Sequence, residues 1–155
     1  YLLQHKDTPV HWRPWGEAAL AEAKATGKPI FYSAGYAACH WCHRMAHEAF
    51  SDPETAAYIN EHFVAIKVDR EERPDVDLTY QTAIQALGQT GGWPLTLFLT
   101  PDGQAFGGGT YFPLVETEGL GRPPLKKVLS DVMTAWAERR AEIDDAAGKV
   151  REALQ

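Results

Sequence analysis

Short apolar runs alternate along this chain with longer stretches whose apolar positions recur every three or four residues, the signatures of buried strands and one-sided helices. "WGEAALAEAKATGKP" sets Trp15, Ala19, Leu20 and Ala23 on one helical face and closes at Gly27 before Pro29, a helix stop. "PIFYSAG", bounded by Pro29 and Gly35, predicts a buried strand. From Cys42 the positions Cys42, Met45, Ala46, Ala49 and Phe50 trace one side of a helix, which puts Cys39 at that helix's start. "SDPETAAYINEHF" offers Ser51 or Asp52 as a cap and Pro53 in the first turn of a second helical piece. "FVAIKVD", residues 63 to 69, is the next strand.

A charged loop, "DREERPD", reads as solvated, with Pro74 or Asp75 setting a helix start, or else as an edge for docking a partner. Val76, Tyr80, Ala83, Ile84 and Leu87 then mark a crossover helix that stops at Gly88. "WPLTLFLTPDGQAFGG" predicts two strands joined by a turn at Pro101-Asp102-Gly103. Behind Pro123-Pro124, a stripe through Leu125, Val128, Leu129, Val132, Met133 and Trp136 is helical. It continues more weakly through Ile143, Ala147, Val150 and Leu154, a face left for something beyond this stretch of chain. The order is α/β: a small mixed β-sheet flanked by helices on both faces. The core domain is expected over residues 1–122, including an N-terminal extension, with a C-terminal helix over 123–155 packed on it.

Composition narrows the function. At 155 residues, with 45% hydrophobic and 23% charged residues, the chain is long enough for one domain with a working core. No apolar run approaches the roughly 20 residues of a membrane span, so no membrane partner is expected. A formal charge of −6 without a basic stripe argues against nucleic acid as a partner. The two cysteines, Cys39 and Cys42, are too close in sequence to staple distant parts of a fold, which favours a reducing, cytoplasmic compartment. The chain opens at Tyr1 with neither a methionine nor a charged-then-apolar leader, so a targeting segment upstream is left open.

Those cysteines stand in "YSAGYAACHWCHRMAHEAF" as one C-x-x-C among three histidines, and four readings compete: redox pair, metal site, haem anchor or packing. Small buried cysteine is the commoner fate of the residue type. Placement at a helix start weighs against it here, because free N–H groups and the positive end of the helix dipole favour thiolate over thiol. Cys39 would then attack a disulfide, and Cys42, one turn on and less exposed, would resolve the mixed disulfide. His40, if protonated, would stabilise the thiolate further. Trp41 falls off the apolar side of the helix and reads as the wall of a substrate groove. Cys39-His40-Trp41-Cys42-His43 also fits C-x-x-C-H, but a haem anchor does not suit a pair that follows a buried strand. Cys39, Cys42, His43 and His47 count four zinc ligands, yet no second C-x-x-C completes the pattern, and the two histidines read as surface residues. No metal or cofactor is expected.

The blocks "YLLQH", "PVHWRPWGEAAL", "KPIFYSAGYAACHWCHRM", "VAIKVDREERPDVD", "GGWPLTLFLTPDG" and "GGTYFP" resemble, in order, the thioredoxin-like domain of the spermatogenesis-associated thioredoxin-domain family, within the thioredoxin superfamily. The resemblance covers about residues 1 to 113. It implies a thioredoxin fold, Cys39 as nucleophile, Cys42 as resolving thiol, and Pro94 as a cis-proline facing them. It also implies a substrate groove at Gly92, Trp93 and Pro94, with Gly91 and Gly92 admitting a close backbone approach. The implied activity is thiol–disulfide exchange on a protein or small-molecule disulfide, with an unidentified electron donor. The alternative is a non-catalytic binding or redox-sensing module. Relatives continue into a large helical-barrel domain, so a C-terminal domain of the same protein is an implied partner. Two departures stand out. Ser33 occupies the place of the superfamily's buried acid, so proton transfer is expected to use water or a histidine. Trp41 stands where thioredoxin reductants carry proline, so their potential and substrate range do not transfer.

Overall fold

The computed structural model describes residues 9–116 and 121–154; the "YLLQH" block lies outside them. Arg13–Pro14 form a two-residue strand, β1, and helix α1 spans Glu17–Thr26 and ends at Gly27 with φ +69°, a left-handed cap that favours glycine. Strand β2, Ile30–Gly35, is buried along its whole length, as a strand covered on both faces must be. It leads into α2, His40–His47, which passes through a 3₁₀ turn, Ala49–Ser51, to α3, Pro53–His62.

Of the two cap candidates before α3, Asp52 does the work: its carboxylate accepts from the Thr55 backbone N–H at 3.0 Å and from the Thr55 hydroxyl at 2.7 Å. These bonds hold its carboxyl below the usual range. Asp52→Ala is expected to lower stability by about 1 kcal/mol in urea unfolding with the m-value unchanged.

Strand β3, Val64–Asp69, pairs in parallel with β2, from Ile30 opposite Val64 to Gly35 opposite Asp69. Helix α4, Pro74–Ala86, starts at Pro74, where the missing N–H costs nothing. The hairpin of β4, Leu95–Leu99, and β5, Ala105–Gly109, turns at Gly103, whose φ is +88°. The sheet order is β1-β3-β2-β4-β5, with β4 antiparallel to both β2 and β5.

The helical stripe after residue 124 is broken at Arg139 into α5, Leu125–Glu138, and α6, Arg140–Ala153. Ile143, Ala147 and Val150 of α6 are buried, with Val150 in the core formed by α1, α4 and the sheet. Three residues of the weak stripe therefore face the domain itself, while the fourth, Leu154, is exposed. The opposite side of the sheet is covered by α2, α3 and α5 around Phe31, Met45, Phe50, Phe63 and Phe98. Among the described residues no helix is long and apolar enough to cross a membrane.

Candidate active site

Strand β2 ends at Gly35, and a short bend delivers the chain to Cys39, the N-cap of α2. The Cys39 Sγ accepts a hydrogen bond from the Cys42 backbone N–H at 3.3 Å, so one of the helix's unpaired donors already faces this sulfur. Cys39 and Cys42 are joined in a disulfide, their Cα atoms 5.3 Å apart. Cys39 is 4% exposed and Cys42 1%: the order is as expected from the helix face, but the difference is small. An attacking sulfur must therefore come in along a narrow approach.

The start of α2 and the loop before β4 carry aromatic rings with arginines stacked over them. Trp41, 39% exposed, packs edge-on against Tyr111 with centroids 4.9 Å apart, and the Arg44 guanidinium lies over both rings, 5.0 Å from Trp41. The Tyr111 hydroxyl donates to Glu48, which is also Arg44's partner at 3.4 Å. Burial first, and the Glu48 carboxylate second, push Tyr111 up to about 12. Across the groove the Trp93 indole N–H donates to Asp77 at 3.0 Å, Arg70 stacks over the ring at 4.4 Å, and Tyr36 meets its edge. The Trp93–Pro94 peptide bond is cis, and Pro94 is buried.

Gly92 has φ +152°, where a side chain would be strained. Its N–H donates to the Gln81 side-chain oxygen and its carbonyl accepts from the same amide, both at 2.9 Å, so one side chain pins the loop from two sides. Between these walls lies a pocket of about 420 Å³ lined by Trp41, Gly91, Gly92, Trp93, Thr110, Tyr111 and Arg122.

His40 is exposed and packs edge-on against Trp41, with centroids 5.5 Å apart. His43 hydrogen-bonds the Ala37 carbonyl, and His47 is exposed. Among the described residues no three His, Cys, Asp or Glu side chains are grouped to hold a metal ion. Ser33, at the superfamily's acid position, is fully buried and its hydroxyl accepts from the Lys67 Nζ at 3.0 Å. Lys67 is itself 3% exposed, its Nζ 4.8 Å from the ring centres of both Trp12 and Phe50, and burial pushes it down to about 7. A buried lysine is thus bonded to the residue at the superfamily's acid position.

The predicted residues Cys39, His40, Trp41, Cys42, Gly92, Trp93 and Pro94 thus lie along the α2 start and the loop before β4. The sequence reading missed Arg44, Arg70, Asp77, Gln81, Tyr111 and Arg122, which fix the walls. Asp77 and Gln81 carried a signal: polar residues four apart beside the apolar stripe of α4 face inward toward some partner.

Comparisons with known proteins agree with this geometry. A family model described as "Protein of unknown function, DUF255" (Thioredox_DsbH) matches residues 1–155. Spermatogenesis-associated protein 20 of Rattus norvegicus is 47% identical over 154 residues, and that of Homo sapiens 46%; each alignment covers 99% of this chain and 19% of the relative. The chain therefore spans about one fifth of the length of these curated relatives. Among solved structures, "DsbH Oxidoreductase" superposes with a TM-score of 0.60 at 20% identity, covering 83% of this chain and 85% of that one. A thioredoxin from Thermus thermophilus superposes at 0.56 with 23% identity, covering 82% and 89%. At such identities the two structures establish a shared thioredoxin fold.

Proposed function

Because the chain belongs to the thioredoxin-like DsbH family (DUF255), we propose that it is a thiol–disulfide oxidoreductase whose working pair is Cys39 and Cys42. The observation that carries this reading is the Cys39 sulfur at the N-cap of α2, bonded to the Cys42 N–H and linked to the Cys42 sulfur. In the dithiol form the same N–H and the helix dipole would face a thiolate, and such surroundings lower a cysteine pKa from about 8.5 into a range of roughly 3.5 to 7.5.

The exchange runs in two balanced steps. The Cys39 thiolate attacks one sulfur of a substrate disulfide, forming a mixed disulfide and expelling the other substrate sulfur as thiolate. The Cys42 thiolate then attacks the Cys39 sulfur, closing the Cys39–Cys42 bond and releasing the second substrate thiolate. Two electrons pass from the pair to the substrate, and a dithiol donor restores the pair by the reverse sequence. Cys42 must lose its proton for the second step; Lys67, joined to Ser33, is the buried base that would help take it. Trp41, Gly92, Trp93 and the cis Pro94 would seat the substrate, and His40 would add charge beside the thiolate.

The test is catalysed reduction of insulin with dithiothreitol as donor, alongside equilibration of the pair in glutathione buffers. Turnover above the uncatalysed rate, with a pair that exchanges reversibly, supports the reading. A pair that stays oxidised down to potentials below about −300 mV, with no acceleration, marks a structural disulfide instead. The near-complete burial of both sulfurs favours one second reading, a groove that binds partners while the pair acts as a redox sensor; binding without turnover in the same assay would establish it.

A further inference from the structure

We propose that the groove beside Cys39 selects disulfides whose neighbouring atoms carry carboxylates, and that Arg122 is the residue that recognises them; this rests on the exchange reading above. The chain as a whole carries a formal charge of −6. Among the described residues, however, the groove is lined by one charged side chain, Arg122, and by no acid. The acidic residues of the loop at 69–75 do not line it. One nitrogen of Arg122, Nη1, is committed to the Thr110 hydroxyl at 2.6 Å and the Tyr111 carbonyl at 3.0 Å. These bonds anchor the guanidinium at the groove wall. Among the described residues no carboxylate pairs with it, and its Nε–Nη2 edge has the geometry that takes a carboxylate through two parallel hydrogen bonds.

The other arginines of the site reinforce this. Arg44 lies over the Trp41 and Tyr111 rings, so the aromatic wall opposite Trp93 has a cation behind it. Glu48 is occupied by both the Tyr111 hydroxyl and Arg44. A carboxylate on a substrate seated in this groove therefore meets the Arg122 guanidinium, while the acids behind the walls are already engaged, Glu48 with Arg44 and Asp77 with Trp93 and Arg70. Acidic peptide segments and small anionic thiols such as glutathione share this chemistry.

The test mixes the reduced protein with symmetric disulfides of short peptides in which Glu, Gln or Lys flanks the cysteine, and follows single-turnover oxidation of Cys39–Cys42 by acid quench and mass measurement. Oxidised glutathione and its carboxyl ester form the small-molecule arm. At about 20 mM salt the Glu peptide should react about five-fold faster than the Gln peptide, and the Lys peptide slowest. The advantage should shrink at about 300 mM salt, and Arg122→Gln should bring the Glu-to-Gln ratio to within two-fold. If the ratio appears only among the peptides, the natural substrate is an acidic segment; if only for glutathione against its ester, it is a small anion. Equal rates for all charges at low salt overturn the selectivity while leaving exchange intact, as does a Glu-to-Gln ratio that Arg122→Gln does not change. No reaction with any disulfide overturns the exchange reading itself, and the selectivity with it.

Discussion

Cys39→Ser should abolish disulfide reduction, a loss on the order of 10³-fold or more, because a serine hydroxyl at neutral pH offers no anion comparable to a thiolate. Cys42→Ala should fail differently. Its Cys39 still attacks, but nothing resolves the product, so a mixed disulfide with substrate accumulates in a one-to-one burst and turnover stops. The two variants together separate nucleophile from resolving thiol. Mass measurement after mixing with a peptide disulfide reads the burst, and iodoacetamide alkylation of Cys42→Ala as a function of pH reads the Cys39 thiolate. The structure makes the direction of that titration specific. With Cys39 at the N-cap and its sulfur accepting the Cys42 N–H, alkylation should reach half-maximum well below pH 8.5. Half-maximum near 8.5, or a burst from Cys39→Ser in place of Cys42→Ala, would overturn the assignment.

Much of this arrangement is written in local pattern. The helix stop at Gly27, the buried strand 30–35, the capped helix at Asp52 and the turn at Gly103 each follow from a residue type with a defined backbone preference, and each lies where its signal puts it. The start of α2 at Cys39 was legible too, since the spacing from Cys42 to Phe50 fixes which residue begins the turn. What the pattern does not hold is contact between distant segments. Arg70 reads as one charge in a solvated loop, yet it stacks on Trp93, 23 positions on, as Gln81 reaches Gly92 and Arg122 reaches Thr110. Long polar side chains carry no periodic signature of their destination. The two-residue strand β1 is similarly silent, because only its pairing with Ile66 and Lys67 of β3 makes it a strand. Lys67 is the sharpest case. In "FVAIKVD" a lysine amid apolar residues looks like a strand's solvent-facing position, whereas helices cover both faces of this sheet and bury it.

That burial makes the folded protein's stability depend on pH in a predictable direction. Lys67 is pushed from 10.5 to about 7 by burial, so between those values the unfolded chain holds a proton that the folded one lacks. Stability therefore rises with pH through this window; it is fully relieved above 10.5, falls as pH drops toward 7, and carries the whole penalty below 7. Over the full window the shift corresponds to roughly 4–5 kcal/mol, and between pH 7 and 9 to about 2 kcal/mol. Urea unfolding of the oxidised protein at these two pH values measures it, since neither cysteine then titrates. The raised hydroxyls of Tyr32, Tyr80 and Tyr111 act in the opposite sense only above their ordinary value of 10, clear of the pH 7 to 9 comparison. Lys67→Met keeps the length of the chain beside Trp12 and Phe50 but removes the titrating amine, so its stability should be flat from pH 7 to 9 and exceed the wild type most at the acid end. The same variant tests the proton path without relying on stability. If Lys67 and Ser33 take the Cys42 proton, Lys67→Met leaves the first attack by Cys39 intact and slows closure of the Cys39–Cys42 bond, so mixed disulfide appears transiently where the wild type shows none. A stability that still rises by about 2 kcal/mol in Lys67→Met would place the titration elsewhere, and unchanged closure would remove Lys67 from the proton path.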